Sequence, residues 1–274
     1  MASQWLASDL VVDGIKIHYT RTGDGSKPPV VLAHGFSDNG LCWLPTAQAL
    51  EADYDVVMPD ARGHGLSARV QPGEELNRAD DLARLIRGLG LKQPVVMGHS
   101  MGASTTAALA VQHPGLAFAI VLEDPAWFDR PAPVPGEQPA PRKNPFHDFL
   151  ITVPSLSVEQ LMNNCRAQNP GWAEVELRPW AEAKKQLDLN VLQTLDRLLM
   201  NTGDIPQRIA CPTLLVTADT TKGAIVTPEY AQKVVAANPH IQWAAVPGAG
   251  HNIRRENFPV FLQAVKDFLR SIAY

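Results

Sequence analysis

The chain has 274 residues, of which 45% are hydrophobic and 19% are charged, and this composition suits one globular catalytic domain with room for an inserted subdomain. Its formal net charge of -4 provides no basic stripe, which argues against nucleic acid or an anionic membrane as a partner. Met1–Leu10 has no apolar run behind positive charge, so we expect no signal peptide, no membrane span and a cytoplasmic location. We also expect a small neutral substrate, and we expect the protein to be a monomer or a homodimer.

Short apolar runs alternate with helical patterns along most of the chain. Leu10–Tyr19 alternates around Asp13-Gly14, a pair that favours a hairpin turn, so two antiparallel strands should open the fold. Buried strands are predicted at Pro29–Ala33, Asp55–Pro59, Pro94–Gly98, Ala119–Glu123, Thr213–Ala218 and Gln242–Val246. Helices are predicted at Glu75–Leu89, Met101–His113, Pro228–Asn238 and Asn257–Ala273. This order predicts an α/β fold with a mostly parallel, eight-stranded sheet flanked by helices.

A long insertion between the strands at Ala119–Glu123 and Thr213–Ala218 interrupts the alternation. Its proline-rich first part, Arg130–Pro145, should lack regular structure. Helices are predicted after it at Ser157–Gln168, Trp172–Leu187 and Asn190–Met200. We expect a helical cap over the active site rather than a disordered linker, because its tryptophans and leucines need a surface to bury. The predicted limits are 126–205 for the cap, with 1–125 and 206–274 forming the core domain.

The strongest chemical signal is the sequence Gly98-His99-Ser100-Met101-Gly102, which follows a buried strand and precedes a helix. A sharp turn from strand to helix forces the central serine into a strained backbone conformation and exposes its hydroxyl above the sheet. The flanking glycines allow the helix to pack closely. Ser100 is therefore the predicted nucleophile of a serine hydrolase.

The loop that begins with His34-Gly35-Phe36 follows the strand Pro29–Ala33, where enzymes with this strand-to-helix serine turn keep one oxyanion donor. We expect the amide of Phe36 to be that donor and the amide of Met101, at the positive end of a helix, to be the second. His34 is predicted to organise the loop, and with Gly35 it is assigned to the substrate-binding surface.

His251 is the predicted general base. It lies in a loop that contains Gly248 and Gly250, after the last predicted strand and before the terminal helix. Among the other histidines only His99 lies near the nucleophile, and we expect it to pack or to point toward the cap. The order of serine first and histidine last requires an acid between them in the sequence.

Two aspartates compete for the role of the acid between Ser100 and His251. Asp124 ends the strand that follows the nucleophile helix. Asp219 follows the next strand, in a loop long enough to turn its carboxylate toward His251. The more usual position for the acid in that loop is occupied by Thr221. We favour Asp124 and keep Asp219 as the alternative, with the loser acting as a carboxylate of a turn.

Together, HGF, the stretch Asp60–Ser67 with the pattern DxRGxGxS, GHSMG and GAGH resemble the α/β-hydrolase superfamily over the whole chain except the cap. The stretches LEDPAWFDR and CPTLLVTADTTKGAIVTPE resemble a bacterial esterase and lactonase branch, close to a metagenomic esterase that degrades N-acyl homoserine lactones. The site itself implies ester hydrolysis through an acyl-enzyme, without a metal or other cofactor. The acyl-homoserine lactone substrate is implied by the resemblance alone.

An acyl chain of such a substrate would need an apolar cavity under the cap. We expect Trp127, Leu150, Leu161 and Trp180 to line it. Epoxide hydrolases and haloalkane dehalogenases attack with an aspartate, so Ser100 argues against both. A general carboxylesterase and a cofactor-free perhydrolase or haloperoxidase remain as alternatives, because they would use the same residues. A hydrolase-like receptor with low turnover is the alternative outside the enzymes.

Overall fold

The computed structural model describes residues 5–127, 145–194 and 203–274. Its strands, in chain order, are β1 (Leu6–Val12), β2 (Ile15–Arg21), β3 (Pro29–Ala33), β4 (Asp55–Pro59), β5 (Val95–His99), β6 (Ala119–Glu123), β7 (Thr213–Thr217) and β8 (Ile241–Ala245). The predicted mostly parallel, eight-stranded sheet is confirmed, and each predicted strand in the interior is found within one residue of its expected position at either end. The opening hairpin is longer than predicted by four residues at its start and two at its end.

The strands form one sheet in the order β1-β2-β4-β3-β5-β6-β7-β8. β1 and β2 are antiparallel to their neighbours, whereas β3 to β8 run parallel. The hairpin turns at Asp13 and Gly14 with φ of 51° and 75°, the left-handed pair that the Asp-Gly sequence favours. Because parallel strands carry helices on both faces, β3 to β7 are buried almost throughout and contain no polar alternation.

Helices cover both faces of the sheet and fill the insertion. In the described ranges they are α1 (Leu44–Leu50), α2 (Arg78–Gly88), α3 (Met101–Gln112), α4 (Pro145–Thr152), α5 (Val158–Gln168), α6 (Glu174–Gln186), α7 (Ile205–Arg208), α8 (Pro228–Ala237), α9 (Ile253–Glu256) and α10 (Phe258–Ser271). α2 begins three residues later than predicted, because the Asn77 side chain caps it by accepting a hydrogen bond from the Asp80 amide. No helix among these is long and apolar enough to cross a membrane.

The inserted segment, residues 145–194, has a small hydrophobic core of its own. Ser157 caps the start of α5, and its side chain forms a capping box with Gln160. Buried Leu150, Leu161 and Leu177 pack together inside the segment. The predicted helix Asn190–Met200 is wrong over residues 190–194, which belong to the 3-10 helix Leu189–Thr194, and the rest of it lies outside the described residues.

Residues 128–144, which precede this core, are outside the described residues. The prediction that Arg130–Pro145 lacks regular structure falls on that part of the chain, apart from Pro145. Pro145 is the first residue of α4, so the prediction is wrong there. The insertion is a helical cap, as the fold class predicted, and the limits of 126 and 205 stay a prediction.

Candidate active site

Ser100 lies at the sharp turn between β5 and α3. Its backbone has φ 52° and ψ -113°, a conformation that costs free energy outside glycine. The turn is held because the Ser100 amide donates to the carbonyl of Glu123 on β6, over 2.9 Å. A Cβ on Gly102 would lie 2.1 Å from the Ala33 carbonyl oxygen, so only glycine allows α3 to approach β3 this closely. The sequence pattern and the backbone geometry therefore agree at this position.

His251 connects Ser100 to Asp124. Its Nε2 lies 3.0 Å from the Ser100 Oγ, and its Nδ1 lies 2.6 Å from the Asp124 Oδ2. With Nδ1 donating to the carboxylate, Nε2 is free to accept the serine proton, which is the geometry of a general base. Asp124 is fully buried, whereas His251 is partly open to the cavity above it. Serine, histidine and aspartate thus form one continuous hydrogen-bonded chain.

The Asp124 carboxylate is fixed from the far side by backbone groups. The amides of Ile225 and Val226 donate to its two oxygens, over 2.8 and 3.0 Å. Asp124 itself has φ 39°, so its backbone is also in the left-handed region. These constraints hold the carboxylate oxygen toward His251 before any substrate is bound.

Asp219 lies away from the histidine side chain and serves its own loop. Its carboxylate accepts hydrogen bonds from the amide and hydroxyl of Thr221, over 2.9 and 2.7 Å, and it caps the 3-10 helix Thr220–Lys222. These bonds, chiefly that from the Thr221 side chain, lower the pKa of Asp219. Of the two sequence candidates, the structure brings Asp124 to His251 and leaves Asp219 as a turn carboxylate.

The loop of the expected oxyanion donors lies beside the nucleophile. Phe36 and Met101 both border the same cavity as Ser100. Met101 is the first residue of α3, where an amide has no acceptor within its own helix. Ser37, next to Phe36, has φ 64°. The structure thus places both residues beside Ser100, and the donor role of their amides stays a prediction.

His34 braces this loop from below instead of binding substrate. Its Nδ1 donates to the Gly35 carbonyl over 2.8 Å, and its Nε2 accepts from the Ala61 amide over 2.9 Å. Burial lowers the pKa of His34 and keeps the ring neutral. Neither His34 nor Gly35 borders the cavity over Ser100, so their assignment to the substrate-binding surface is corrected. A Cβ on Gly35 would meet the His99 ring at 2.6 Å, so that residue serves close packing.

His99, beside the nucleophile, also supports the site from within the protein. Its Nε2 donates to the backbone carbonyl of His251 over 2.9 Å, and the two rings lie 4.8 Å apart. Burial, with a smaller effect of Arg254, holds the pKa of His99 well below its usual range. A neutral His99 therefore fixes the backbone of the catalytic loop, in agreement with the packing role expected for it and not with the cap-facing one.

A cavity of about 410 Å³ opens above Ser100 and His251. Aromatic residues supply much of its wall, and those from the inserted segment are Phe146, Trp172 and Trp180. Trp180 thus lies where the sequence predicted. The assignments of Trp127, Leu150 and Leu161 to the cavity are wrong, because Trp127 packs in the main core and the two leucines pack in the core of the inserted segment.

A buried ion cluster, which no sequence pattern indicated, adjoins the cavity. Its members are Asp38, Glu123, Glu176, Lys184, Arg254 and Arg255, each at most 5% exposed. Asp38 accepts from Lys184 over 2.8 Å and from Arg255 over 3.0 Å. Burial alone would raise the pKa of Asp38, but the three cations hold it well below its usual range. The formal charges of the six groups cancel, which makes their joint burial tolerable.

The remaining bonds of the ion cluster join separate parts of the site. Arg255 donates to Glu176 on α6 over 3.2 Å. Glu123, adjacent to Asp124, accepts from the backbone and side chain of Arg254 over 2.8 and 3.1 Å. Burial raises the pKa of Glu123 and Arg254 offsets part of that effect. The cluster therefore links the Phe36 loop, β6, the cap and the segment that follows His251.

A family model described as "Alpha/beta hydrolase family" matches residues 30–268. The chain belongs to the α/β-hydrolase family. Membership of the superfamily and the general class of hydrolase, both predicted from the motifs, are confirmed, whereas the esterase and lactonase branch stays a prediction. Within the described ranges, no group of three or more His, Cys, Asp or Glu is arranged to hold a metal ion.

Two curated relatives align along nearly the whole chain. The chain is 29% identical to N-formylmaleamate deformylase from Pseudomonas putida, covering 94% of each protein. It is 26% identical to 2-(acetamidomethylene)succinate hydrolase from Mesorhizobium japonicum, covering 89% of each. Among solved structures, E-2-(acetamidomethylene)succinate hydrolase superposes with a TM-score of 0.78 at 22% identity, covering 97% of this chain and all of that one. This structural likeness supports the fold.

Proposed function

We propose that this hydrolase cleaves carboxylic esters and lactones through an acyl-enzyme on Ser100. The observation that carries the proposal is the hydrogen-bonded chain from Ser100 through His251 to buried Asp124, open to a cavity with aromatic walls. The proposed roles are nucleophile for Ser100, general base for His251, acid for Asp124 and oxyanion donors for the amides of Phe36 and Met101.

In the proposed reaction, His251 takes the Ser100 proton as the serine oxygen attacks the substrate carbonyl. The two amides stabilise the oxyanion, and Asp124 stabilises the imidazolium that forms. The histidine then gives its proton to the leaving alcohol, and later activates the water that releases the acid. With a lactone, the leaving hydroxyl stays attached to the acyl group, so water must react before the ring closes again.

The proposed substrates have an uncharged, apolar acyl group. Aromatic side chains of the cavity offer such a group a surface that excludes water. Lys184 and Arg255 border the cavity, but both already bond to carboxylates of a cluster whose formal charges cancel. N-acyl homoserine lactones combine an apolar chain with a lactone, and their hydrolysis would make this protein a quorum-quenching enzyme.

Hydrolysis of a carbon–nitrogen bond is the second candidate, because the two curated relatives are named for removal of a formyl group and for an acetamidomethylene substrate. The same serine and histidine would serve, since His251 would protonate a leaving amine instead of an alcohol. The cavity favours the ester, because both relatives act on compounds named as maleamate or succinate, which carry carboxylates, while its cations are already neutralised.

A substrate panel decides between the candidates. We expect the highest kcat/KM for acyl-homoserine lactones or p-nitrophenyl esters, and lower values for N-formylmaleamate and 2-(acetamidomethylene)succinate. For acyl-homoserine lactones, mass spectrometry should find the ring-opened acid, whereas amide cleavage would release homoserine lactone. Ser100→Ala serves as the blank. A higher kcat/KM for either carboxylated amide would contradict the ester proposal and support the second candidate.

A further inference from the structure

Lys184 is a buried cation on α6 whose burial the proposed chemistry leaves unexplained. Its side chain is 3% exposed. The ammonium donates to the Asp38 carboxylate and to the Ser37 carbonyl, over 2.8 and 2.9 Å. Ser37 and Asp38 directly follow Phe36, so these bonds fasten the cap to the loop of the proposed oxyanion donors. An apolar side chain of similar length would fill the same space without the cost of removing a charge from water.

The same ammonium contacts a wall of the cavity. It lies 4.8 Å from the ring centroid of Trp180, one helical turn earlier on α6. A cation in this position attracts the face of an indole ring. Trp180 also stacks on Phe149 at a centroid distance of 6.2 Å, so an aromatic group and a cation both contact its ring. These contacts restrict the ring that borders the cavity.

A second cation repeats the arrangement. The Arg255 guanidinium lies 4.6 Å from the centroid of the Trp172 ring and donates to Asp38. Both cap tryptophans of the cavity wall are therefore held by cations that bond to one carboxylate. Asp38 is the common anchor of the two contacts.

We propose that Lys184 is a positioning residue that sets acyl-chain selectivity by holding Trp180 against the Asp38 loop. The inference rests on the proposed function, because it takes Trp180 as a wall for the acyl chain. A long acyl chain reaches this wall, whereas an acetyl group stays near Ser100. Lys184 acts through the tryptophan and has no part in bond cleavage. Loss of its charge leaves Trp180 free to leave the position that long chains require.

The test compares p-nitrophenyl octanoate with p-nitrophenyl acetate. For Lys184→Met, the ratio of kcat/KM with octanoate to kcat/KM with acetate should fall about tenfold, the size of a partly buried cation–π contact, beyond any loss that both esters share through the bonds of Lys184 to Ser37 and Asp38. The loss should appear mainly in KM. Lys184→Arg keeps a cation over the ring and should keep the preference. Lys185→Met is the matched control, because Lys185 lies next on α6 and binds backbone carbonyls of residues 153, 154 and 156.

A double-mutant cycle with Trp180→Leu separates positioning from general damage. If Lys184 acts through Trp180, Lys184→Met should change the octanoate-to-acetate ratio far less in the Trp180→Leu background. Equal losses for both esters, or full additivity in the cycle, would overturn the proposal. Thermal unfolding of each variant shows whether the protein is folded, and Trp180→Leu alone must also lower the ratio.

Failure of this inference and failure of the proposed function give different experimental results. If the wild type hydrolyses neither ester, the proposed function fails. Selectivity is then measured by binding of octanamide and acetamide, followed through tryptophan fluorescence. Lys184→Met should weaken octanamide binding about tenfold and leave the acetamide response unchanged. Unchanged octanamide binding in that variant would contradict the role of Lys184.

Discussion

The floor and the roof of the cavity are built in different ways. The floor consists of Ser100 and Asp124, which directly follow strands β5 and β6, and of His251 in the loop after β8. Main-chain bonds and strained dihedral angles fix Ser100 and Asp124. The roof comes from the inserted segment, whose contacts with the floor include side-chain ion pairs such as Lys184 with Asp38. On the proposed function, bond cleavage would depend on groups that the backbone holds, whereas selection among substrates would depend on side chains that can be replaced.

The largest effect should come from the nucleophile in the floor. Ser100→Ala removes the attacking oxygen, and in a comparable serine hydrolase such a loss costs about 10⁶ in kcat. Ester hydrolysis should drop to near the blank rate, with the thermal unfolding temperature unchanged or higher. Substantial activity in a pure, folded variant would show that the floor is not the catalytic surface.

The acid in the floor should give the next largest effect. Asp124→Asn keeps shape but loses charge and favours the wrong histidine tautomer, which costs about 10⁴ in kcat in the serine-protease precedent. Asp219→Asn is the matched control and should lose at most about tenfold, because its carboxylate bonds to Thr221 in its own loop. Initial rates at saturating ester measure both, and a reversed ranking would move the acid to the other loop.

The ion pairs of Asp38 connect the inserted segment to the rest of the site, and their contribution is tested by measuring the free energy of unfolding. Asp38→Asn leaves buried Lys184 and Arg255 without their shared carboxylate, so the free energy of unfolding should fall by about 3–5 kcal/mol at neutral pH. The pKa of Asp38 is lower in the folded protein than in the unfolded chain, so its stabilising contribution is complete above about pH 4 and is lost as the pH falls below that. The gap in unfolding temperature between wild type and variant should therefore narrow below about pH 4. A gap independent of pH would mean that Asp38 acts by packing alone.

The roof should affect selectivity more than rate. Phe146 borders the cavity from α4 and packs against Phe36, with ring centroids 6.3 Å apart. Phe146 is 41% exposed, so an acyl chain would bury part of its ring. Phe146→Ala should therefore lower kcat/KM for octanoate esters roughly tenfold and change acetate hydrolysis little. Ile151→Ala, on the exposed side of the same helix, is the control. A large loss of kcat with acetate would make the roof part of the catalytic machinery.

The smallest effect is expected from removal of metal ions. In the proposed reaction the oxyanion is stabilised by amides of the floor, so excess EDTA should leave kcat and KM within experimental error. The check is the rate after dialysis against EDTA, compared with the same sample after addition of zinc. A loss that zinc restores would contradict the acyl-enzyme mechanism.

The floor was predictable from sequence because its features are local. An apolar run followed by Gly98 to Gly102 predicts strand, turn and helix at once, and Ser100 lies where that pattern puts it. The choice of acid was not fully local. Asp124 is held by amides about one hundred positions later, at Ile225 and Val226, and the sequence left that contact open.

The roof was less predictable because an apolar residue on one of its helices can face either the cavity or the hydrophobic core of the inserted segment. Trp180 faces the cavity, but Leu150 and Leu161 face the core of the inserted segment, and the helical period alone does not distinguish these cases. Arg254, Arg255 and Lys184 carry charges typical of a surface. Their burial depends on Asp38, Glu123 and Glu176, which the fold brings from distant parts of the chain.

The strained backbone at Ser37, Ser100 and Asp124 makes these positions vulnerable when a population of variants is selected for heat resistance alone. Each has φ between 39° and 64°, where glycine is less strained than serine or aspartate. Directed evolution without an activity screen should therefore enrich Ser100→Gly, which relaxes the backbone and removes the proposed nucleophile. Thermostable descendants of this protein need activity as a simultaneous selection criterion.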